Sequence, residues 1–393
     1  MNTRCFHATN SISIHSNGKI TQCCSAGTIP KVTLFNDIDD IINSQYMISL
    51  RNDLNNDVRH KSCKQCWDTE DAGGKSFRRH SIELAEMYGI NQTPKSNITY
   101  DDVYWLDIFM GNKCNLACRM CTPNSSSLVG KHTYKFYHGD NVIIPDTIES
   151  SFSDSTRDKT FEIIEKSTNL KFIHLYGGEP LLIKFHDELC EYLIEKDRAK
   201  DIELRFSSNL QADISRKIKY HQYFKKITIS ISIDGSSETY EYIRWPGKWN
   251  KIKKNIQLLN DATDISYDAS VTLVLQNLNV DNMYDFFTEI QEVYKNPIFV
   301  APVWGTNKIE ILPTRILEEQ LKKLDNIKGP LRGTEQVINL LNHSIELSKN
   351  LNPDDVFAFF NKQKMHDTYQ NQNLFTIKPH FIELAEQFNY KIW

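Results

Sequence analysis

The sequence predicts an α/β protein: an open partial (β/α)6 barrel of TIM-like type, with a small N-terminal cysteine-rich α+β module and a helical C-terminal extension. Three observations point there. Between residues 103 and 304, six short runs rich in apolar and β-branched residues alternate with amphipathic helical stretches, the pattern of βαβ units and a parallel sheet. Residues 1–95 are irregular and carry Cys5, Cys23, Cys24, Cys63 and Cys66. Beyond Trp304 the apolar spacing is helical. The expected division is therefore 1–95, 100–305 and 306–393.

In the first part, "SISIHSNGKITQ" reads as two alternating strands around Asn17–Gly18, the strongest short hairpin signal. Pairing about a two-residue turn puts Cys23 opposite Ile12, and "CKQC" adds Cys63 and Cys66 on one short turn. The charged run "CWDTEDAGGKSFRRH" reads as a solvated turn entering the helix "SIELAEMYG", with a cluster passage or an anion grip as the alternative. "GINQTPKSNITYDD" reads as a linker.

The six strands of the second part are "VYWLDIFM" (103–110), "KFIHLY" (171–176), "IELRFSS" (202–208), "KITISISI" (226–233), "SYDASVTLVL" (266–275) and "PIFVAPVW" (297–304). Helical stretches such as "STRDKTFEIIEKS" and "FHDELCEYLIEK" separate them. Six strands fall short of the eight of a closed barrel. The extension carries "RILEEQLKKLDNI", "TEQVINLLNHSIELSKNL" and "KPHFIELAEQF", all at helical spacing.

Hydrophobic residues make up 40% and charged residues 24% of the 393, a globular composition rather than a disordered one. The net charge of −4 gives no global basic field, so nucleic acid is not an expected partner. The first residues show no signal-peptide core, and no run approaches the roughly 18 apolar residues of a membrane span. A cytoplasmic protein with no membrane partner is expected. Nine cysteines, an odd count, argue against a disulfide framework and for metal or redox chemistry. Cys190, inside a helical pattern, reads as a plain buried thiol.

Cys114, Cys118 and Cys121, in "MGNKCNLACRMC", follow directly on the first barrel strand, where such folds place their active face. Three thiolates can hold three irons of a [4Fe–4S] cube and leave the fourth for another ligand. A zinc site borrowing a remote His is the alternative. Strand two ends in Gly177, Gly178 and Glu179, which permit close backbone approach and a carboxylate grip on an ammonium group. Strand three ends in Ser208–Asn209, strand four in "SIDG" (232–235) and strand five in Gln276–Asn277. Small polar residues at successive strand ends suit one ligand cleft.

CX3CX2C at strand one, Gly-Gly-Glu-Pro at strand two and Ser-Ile-Asp-Gly at strand four resemble the radical S-adenosylmethionine (radical SAM) superfamily over about 200 residues. The resemblance implies a [4Fe–4S] cluster on Cys114, Cys118 and Cys121, with its open iron chelated by SAM. It implies reductive cleavage of SAM to a 5′-deoxyadenosyl radical that abstracts a hydrogen atom from substrate. Gly177, Gly178 and Glu179 would hold the methionine ammonium. Ser232 would contact the ribose or carboxylate, Arg244 would pair with the SAM carboxylate, and Ser208 and Asn209 would reach the ribose. The family often has an aromatic residue before the third cysteine; here Met120 would lie beside the adenine. No glycine-rich motif marks strand five.

The N-terminal spacing, C-X12-G-X4-C then C-X2-C, resembles the SPASM/twitch auxiliary module, which usually follows the barrel rather than precedes it. By that resemblance Cys5, Cys23, Cys63 and Cys66 ligate one auxiliary [4Fe–4S] cluster, zinc being the alternative; Cys24 is not expected as a ligand, because neighbours on a strand point to opposite faces. A peptide or protein substrate and a reducing partner such as flavodoxin or ferredoxin are expected. The alternatives are a nucleoside, sugar or other small-molecule substrate, or a non-catalytic zinc-binding interaction protein.

Overall fold

The computed structural model describes residues 3–24, 26–71, 75–93, 95–296, 298–303, 305–325 and 333–393. It contains nine strands among those residues: β1 (Ser11–His15), β2 (Lys19–Thr21), β3 (Thr28–Thr33), β4 (Trp105–Phe109), β5 (Phe172–Tyr176), β6 (Glu203–Ser208), β7 (Lys226–Ser232), β8 (Tyr267–Leu275) and β9 (Ile298–Pro302). The last six are those the sequence predicts, and the α/β class holds. Pro297 and Trp304, the expected limits of the sixth strand, lie outside the described residues, as do Ala72, Gly73 and Gly74 of the charged run.

Contacts divide the chain into two compact units. The first comprises Met1–Gly111, Ser150–Phe206 and Tyr223–Lys226, and the second Asn112–Glu149, Ser207–Gln222 and Ile227–Trp393.

In the first unit the strands run β3-β2-β1-β4-β5-β6. β1 pairs in parallel with β4, Ser11 opposite Trp105 through His15 opposite Phe109. β4 pairs in parallel with β5, Asp107 opposite His174, and β5 with β6, His174 opposite Arg205. Successive side chains alternate between faces. Leu106, Ile108, Ile173, Leu175 and Leu204 form one fully buried face, and the helix Lys184–Glu195 covers it, with the His186 ring 5.8 Å from Phe206. On the other face, Trp105 and Phe172 pack with Phe6, Leu84, Ala85 and Ile90, from the helices Phe6–Asn10 and Phe77–Met87 and the chain beyond. A polar row crosses the same face one step on: Ser13, Asp107, His174 and Arg205.

Two expectations need correction here. The hairpin pairs Ser13 with Thr21 and Ile14 with Ile20, one residue away from the register a two-residue turn gives. The loop is three residues, Ser16–Gly18, with the Gly18 amide bonded to the His15 carbonyl at 2.9 Å and Gly18 at φ +76°, the left-handed position such a loop reserves for glycine. The segment read as a linker is tied down. Asn43 Nδ2 donates to the Ile98 carbonyl (2.9 Å), the Ile98 amide to Asn43 Oδ1 (2.9 Å), and Arg51 Nε to the Ser96 carbonyl (2.7 Å).

In the second unit β7, β8 and β9 are parallel, with Ser232 opposite Thr272 and Val271 opposite Ile298. The C-terminal part is helical as expected: Thr314–Asp325, Thr334–Leu347, Pro353–Gln370, Leu374–Ile377 and His380–Gln387. Pro353 opens its helix behind the Asn352 cap, and Asn371 at φ +51° ends it, in keeping with proline at the first position and a left-handed residue after the last. Among the described residues no helix is long and apolar enough to cross a membrane.

Candidate functional site

Where β4 ends, the backbone leaves no room for side chains. The Met110 amide bonds the Tyr176 carbonyl (2.8 Å), and the Gly178 amide bonds the Gly111 carbonyl (2.8 Å). A Cβ on Gly111 would lie 2.1 Å from the Ser150 carbonyl oxygen, and one on Gly177 2.4 Å from that of Gly111; both glycines have φ above +100°. Glu179 is fully buried, and its carboxylate caps the Leu181 amide at 3.2 Å. Gly177, Gly178 and Glu179 thus sit together at the end of β5 in the first unit.

The cysteine loop belongs to the second unit. Cys118 is buried and Cys114 and Cys121 partly so. Its backbone is bonded along 243–245, from the Ala117 amide to the Trp245 carbonyl (2.7 Å) and from the Arg119 amide to the Ile243 carbonyl (2.9 Å). Ser126 Oγ, which caps the helix Ser127–His138, also donates to the Leu116 carbonyl at 2.6 Å. Burial drives the Cys118 and Cys121 thiols above the ordinary thiol range. A metal bound by such thiols would have to displace protons, so its affinity would rise with pH.

Other expected residues surround this loop. Arg244 is buried with one guanidinium nitrogen 2.6 Å from Asp234 of the "SIDG" segment and another 3.8 Å from Cys118 Sγ. Burial alone would lower the Arg244 pKa; the Asp234 charge more than offsets it and keeps the guanidinium protonated. Arg244, expected at a ligand carboxylate, thus has a protein carboxylate as partner. Asn209 Nδ2 donates to Asn115 Oδ1 (2.8 Å) and lies 3.7 Å from Cys114 Sγ, while its Oδ1 accepts from the Gln211 amide at 2.9 Å. Ser208 caps the Leu210 amide at 2.9 Å, a turn contact. Ser232 ends β7, and both Ser232 and Met120 are half-buried.

Sequence reasoning missed Arg119, inside the cysteine motif, and Asp367. They form an ion pair at 2.6 Å with side chains 0% and 1% exposed. Arg119 also donates to the Tyr242 carbonyl (2.9 Å), Gln363 Oε1 (2.9 Å) and Gln372 Oε1 (2.9 Å), with its guanidinium 3.6 Å from the Tyr242 ring centre. A second omission is Asp107, a fully buried carboxylate that accepts from Trp105 Nε1 and His174 Nδ1, both at 2.9 Å. A lone charge in the apolar run "VYWLDIFM" was the available signal.

In the first unit Cys5, Cys23, Cys63 and Cys66 line one pocket, with His7, Gln22, Phe77 and Arg78 among its other walls. The fold gathers the thiols from the N-cap of the helix Phe6–Asn10, the chain after β2, the turn Lys61–Cys63 and the helix Lys64–Asp71. Four thiols on one pocket are a donor set that a [4Fe–4S] cluster takes, and equally one that zinc takes. Gln22 Nε2 donates to Cys63 Sγ at 3.1 Å, and burial, reinforced by Cys63, pushes Cys5 up to about 12. Arg78, expected on a solvated turn, is 5% exposed and paired with Glu70 at 2.6 Å. Cys190 is fully buried, as the helical pattern implies.

Comparison with known proteins gives the chain its place. Residues 108–288 match the radical SAM superfamily, and residues 5–67 match SPASM, an iron–sulfur cluster-binding domain. GTP 3′,8-cyclase of Syntrophomonas wolfei subsp. wolfei is 24% identical over 204 residues, 51% of this chain and 54% of that protein. The chain thus spans about half the length of the curated relatives it matches. Among solved structures, anSMEcpe with bound AdoMet is 17% identical over 56% of this chain and 58% of that one, TM-score 0.40. Streptococcus suis SuiB bound to its precursor peptide SuiA is 14% identical over 64% and 52%, TM-score 0.36. The radical SAM domain implies a [4Fe–4S] cluster and SAM, and the SPASM domain implies auxiliary iron–sulfur. The chain thus carries a radical SAM domain over residues 108–288, preceded by a SPASM-type iron–sulfur domain over residues 5–67.

Proposed function

We propose that Cys114, Cys118 and Cys121 hold the SAM-binding [4Fe–4S] cluster and that the substrate is a peptide or protein side chain. One observation carries the first part: three thiols on a single loop that starts where β4 ends, with no fourth protein ligand in the motif. When bound, the cluster and SAM supply a 5′-deoxyadenosyl radical that takes a hydrogen atom from substrate.

The chain's own residues hold and orient. Gly177 and Gly178 keep the end of β5 free of side chains, so a methionine moiety can approach backbone there. Glu179 offers a buried negative charge to its ammonium. Arg244, fixed by Asp234, puts a permanent positive charge beside Cys118, which favours its thiolate. Asn209 and Ser232 stand as polar contacts for ribose or carboxylate, and Met120 for adenine. Cys5, Cys23, Cys63 and Cys66 hold the auxiliary cluster, and a flavodoxin or ferredoxin supplies the electron.

Support for a peptide substrate is the pairing of a radical SAM domain with a SPASM-type module, a combination often found in enzymes that modify peptides. A nucleotide is the second reading, favoured by the GTP 3′,8-cyclase similarity. Anaerobic reconstitution followed by dithionite and SAM tests the core of the proposal. Release of 5′-deoxyadenosine that disappears in Cys114→Ala is expected. Two zinc ions per chain and no SAM cleavage would refute it. Mass spectrometry of the reduced enzyme with GTP, and with peptides encoded beside its gene, then decides the substrate class.

A further inference from the structure

We infer that the C-terminal stretch from Gln363 to Leu374 is a working part of the cysteine-loop site, with Arg119 as the positioning residue that joins them. This rests on the reading of that loop as a cluster site.

Arg119 lies between the second and third thiols of the motif, yet its side chain serves the C-terminal segment. It reaches Gln363 and Asp367 on the helix Pro353–Gln370, and Gln372 just beyond. The carboxylate it meets is held from every side. Asp367 Oδ1 also accepts from the Tyr242 hydroxyl (3.3 Å), and Oδ2 accepts from the Leu374 amide (2.7 Å) and from the indole N–H of Trp393 (3.1 Å). Trp393 is itself fixed by Asn373 Nδ2 on its carbonyl at 3.1 Å and by the Phe375 ring, 4.8 Å away. A second strut runs from the same helix to the loop backbone, Gln370 Nε2 to the Ala117 carbonyl at 2.8 Å.

The loop is therefore clamped twice, along 243–245 by main-chain bonds and along 363–372 by side chains. A guanidinium with this many fixed acceptors has one position. Through it, the peptide between Cys118 and Cys121 has one position too. Partners that orient metal ligands commonly matter roughly 10–100-fold to metal retention or activity. A buried ion pair could equally be a general stabiliser, and the molecule contains its own control. Lys378 and Asp281, in the same unit, pair at 2.8 Å, and Lys378 Nζ also bonds Thr239 Oγ1, without touching the loop.

The test uses the full reconstituted chain, reduced with dithionite and followed by electron paramagnetic resonance with and without SAM. The signal that changes on adding SAM reports the loop cluster; the indifferent signal reports the auxiliary one. Under a ferrous chelator, Asp367→Asn should lose the SAM-responsive signal roughly tenfold faster than the parent chain, with the indifferent signal decaying as before. Asp281→Asn should decay like the parent. Gln370→Met, which removes only the strut to Ala117, should move the same way by less, and it serves if Asp367→Asn does not fold. Parent-like decay in the folded Asp367→Asn chain, or in Gln370→Met if that chain does not fold, overturns the inference. So does equal acceleration in Asp281→Asn. A parent chain with no SAM-responsive signal removes the reading of the loop itself, and this inference with it.

Discussion

Cys114, Cys118 and Cys121 occupy eight consecutive residues, whereas Cys5, Cys23, Cys63 and Cys66 are spread over 62 positions and gathered from four segments. The first set needs only a strand to end in the right place; its spacing is its geometry. The second exists only once a hairpin, a turn and two helices have packed, so it inherits every weakness of that packing. One site is written locally and the other is assembled.

The sharpest way to break the comparison is to remove one thiol from each. Cys118→Ala should take 5′-deoxyadenosine release to the level without enzyme, while Cys63→Ala should keep part of it; equal loss would mean the sites are not separable. Next in size is a substitution at a residue that is not itself an expected ligand. Arg51 is fully buried and bonds the carbonyls of Ser96, Ile42 and Ala8 and the Asn43 side chain. Arg51→Met orphans those acceptors and should cost about 3 kcal/mol. Iron counting should show the auxiliary cluster lost and the SAM-responsive one kept.

A smaller effect concerns pH. Burial, then the charges of Arg119, Lys362 and His132, holds the His366 pKa well below its ordinary value, so the ring is neutral in the fold. The unfolded chain takes up a proton below about 6.5 and the folded chain does not. This contribution is whole above that pH and declines as pH falls towards the folded value, by at most about 1.4 kcal/mol per pH unit. Urea titrations at pH 7 and 5 should show a shallower decline in His366→Gln than in the parent. Smallest is Gln22→Leu, which deletes the N–H donor to Cys63 Sγ and should cost about 1 kcal/mol. It should also lower the auxiliary cluster's potential, because hydrogen bonds to the sulfurs help set it; voltammetry reads the sign.

What could be read in advance follows the same division. Six strands and the three-cysteine loop were legible because period-two alternation and short spacing are local signals. The N-terminal hairpin was visible, but its register was not, since Asn-Gly does not say whether Ser16 joins the loop. Pairing of β1 with β4 lies more than 90 residues apart in sequence, and nothing local announces it. Arg119 and Asp367 are 248 positions apart; each looks like an ordinary surface charge on its own stretch. Arg78 misled for a related reason, because a charged run says nothing about which member will find a buried partner.

The parallel seam between Ser11–His15 and Trp105–Phe109 has one last consequence. Were the first 33 residues trimmed away to simplify the enzyme, the five residues of β4 would face water as a bare edge, their amides and carbonyls open to any passing strand. A shortened form should therefore clump during purification before any question about its chemistry could be asked.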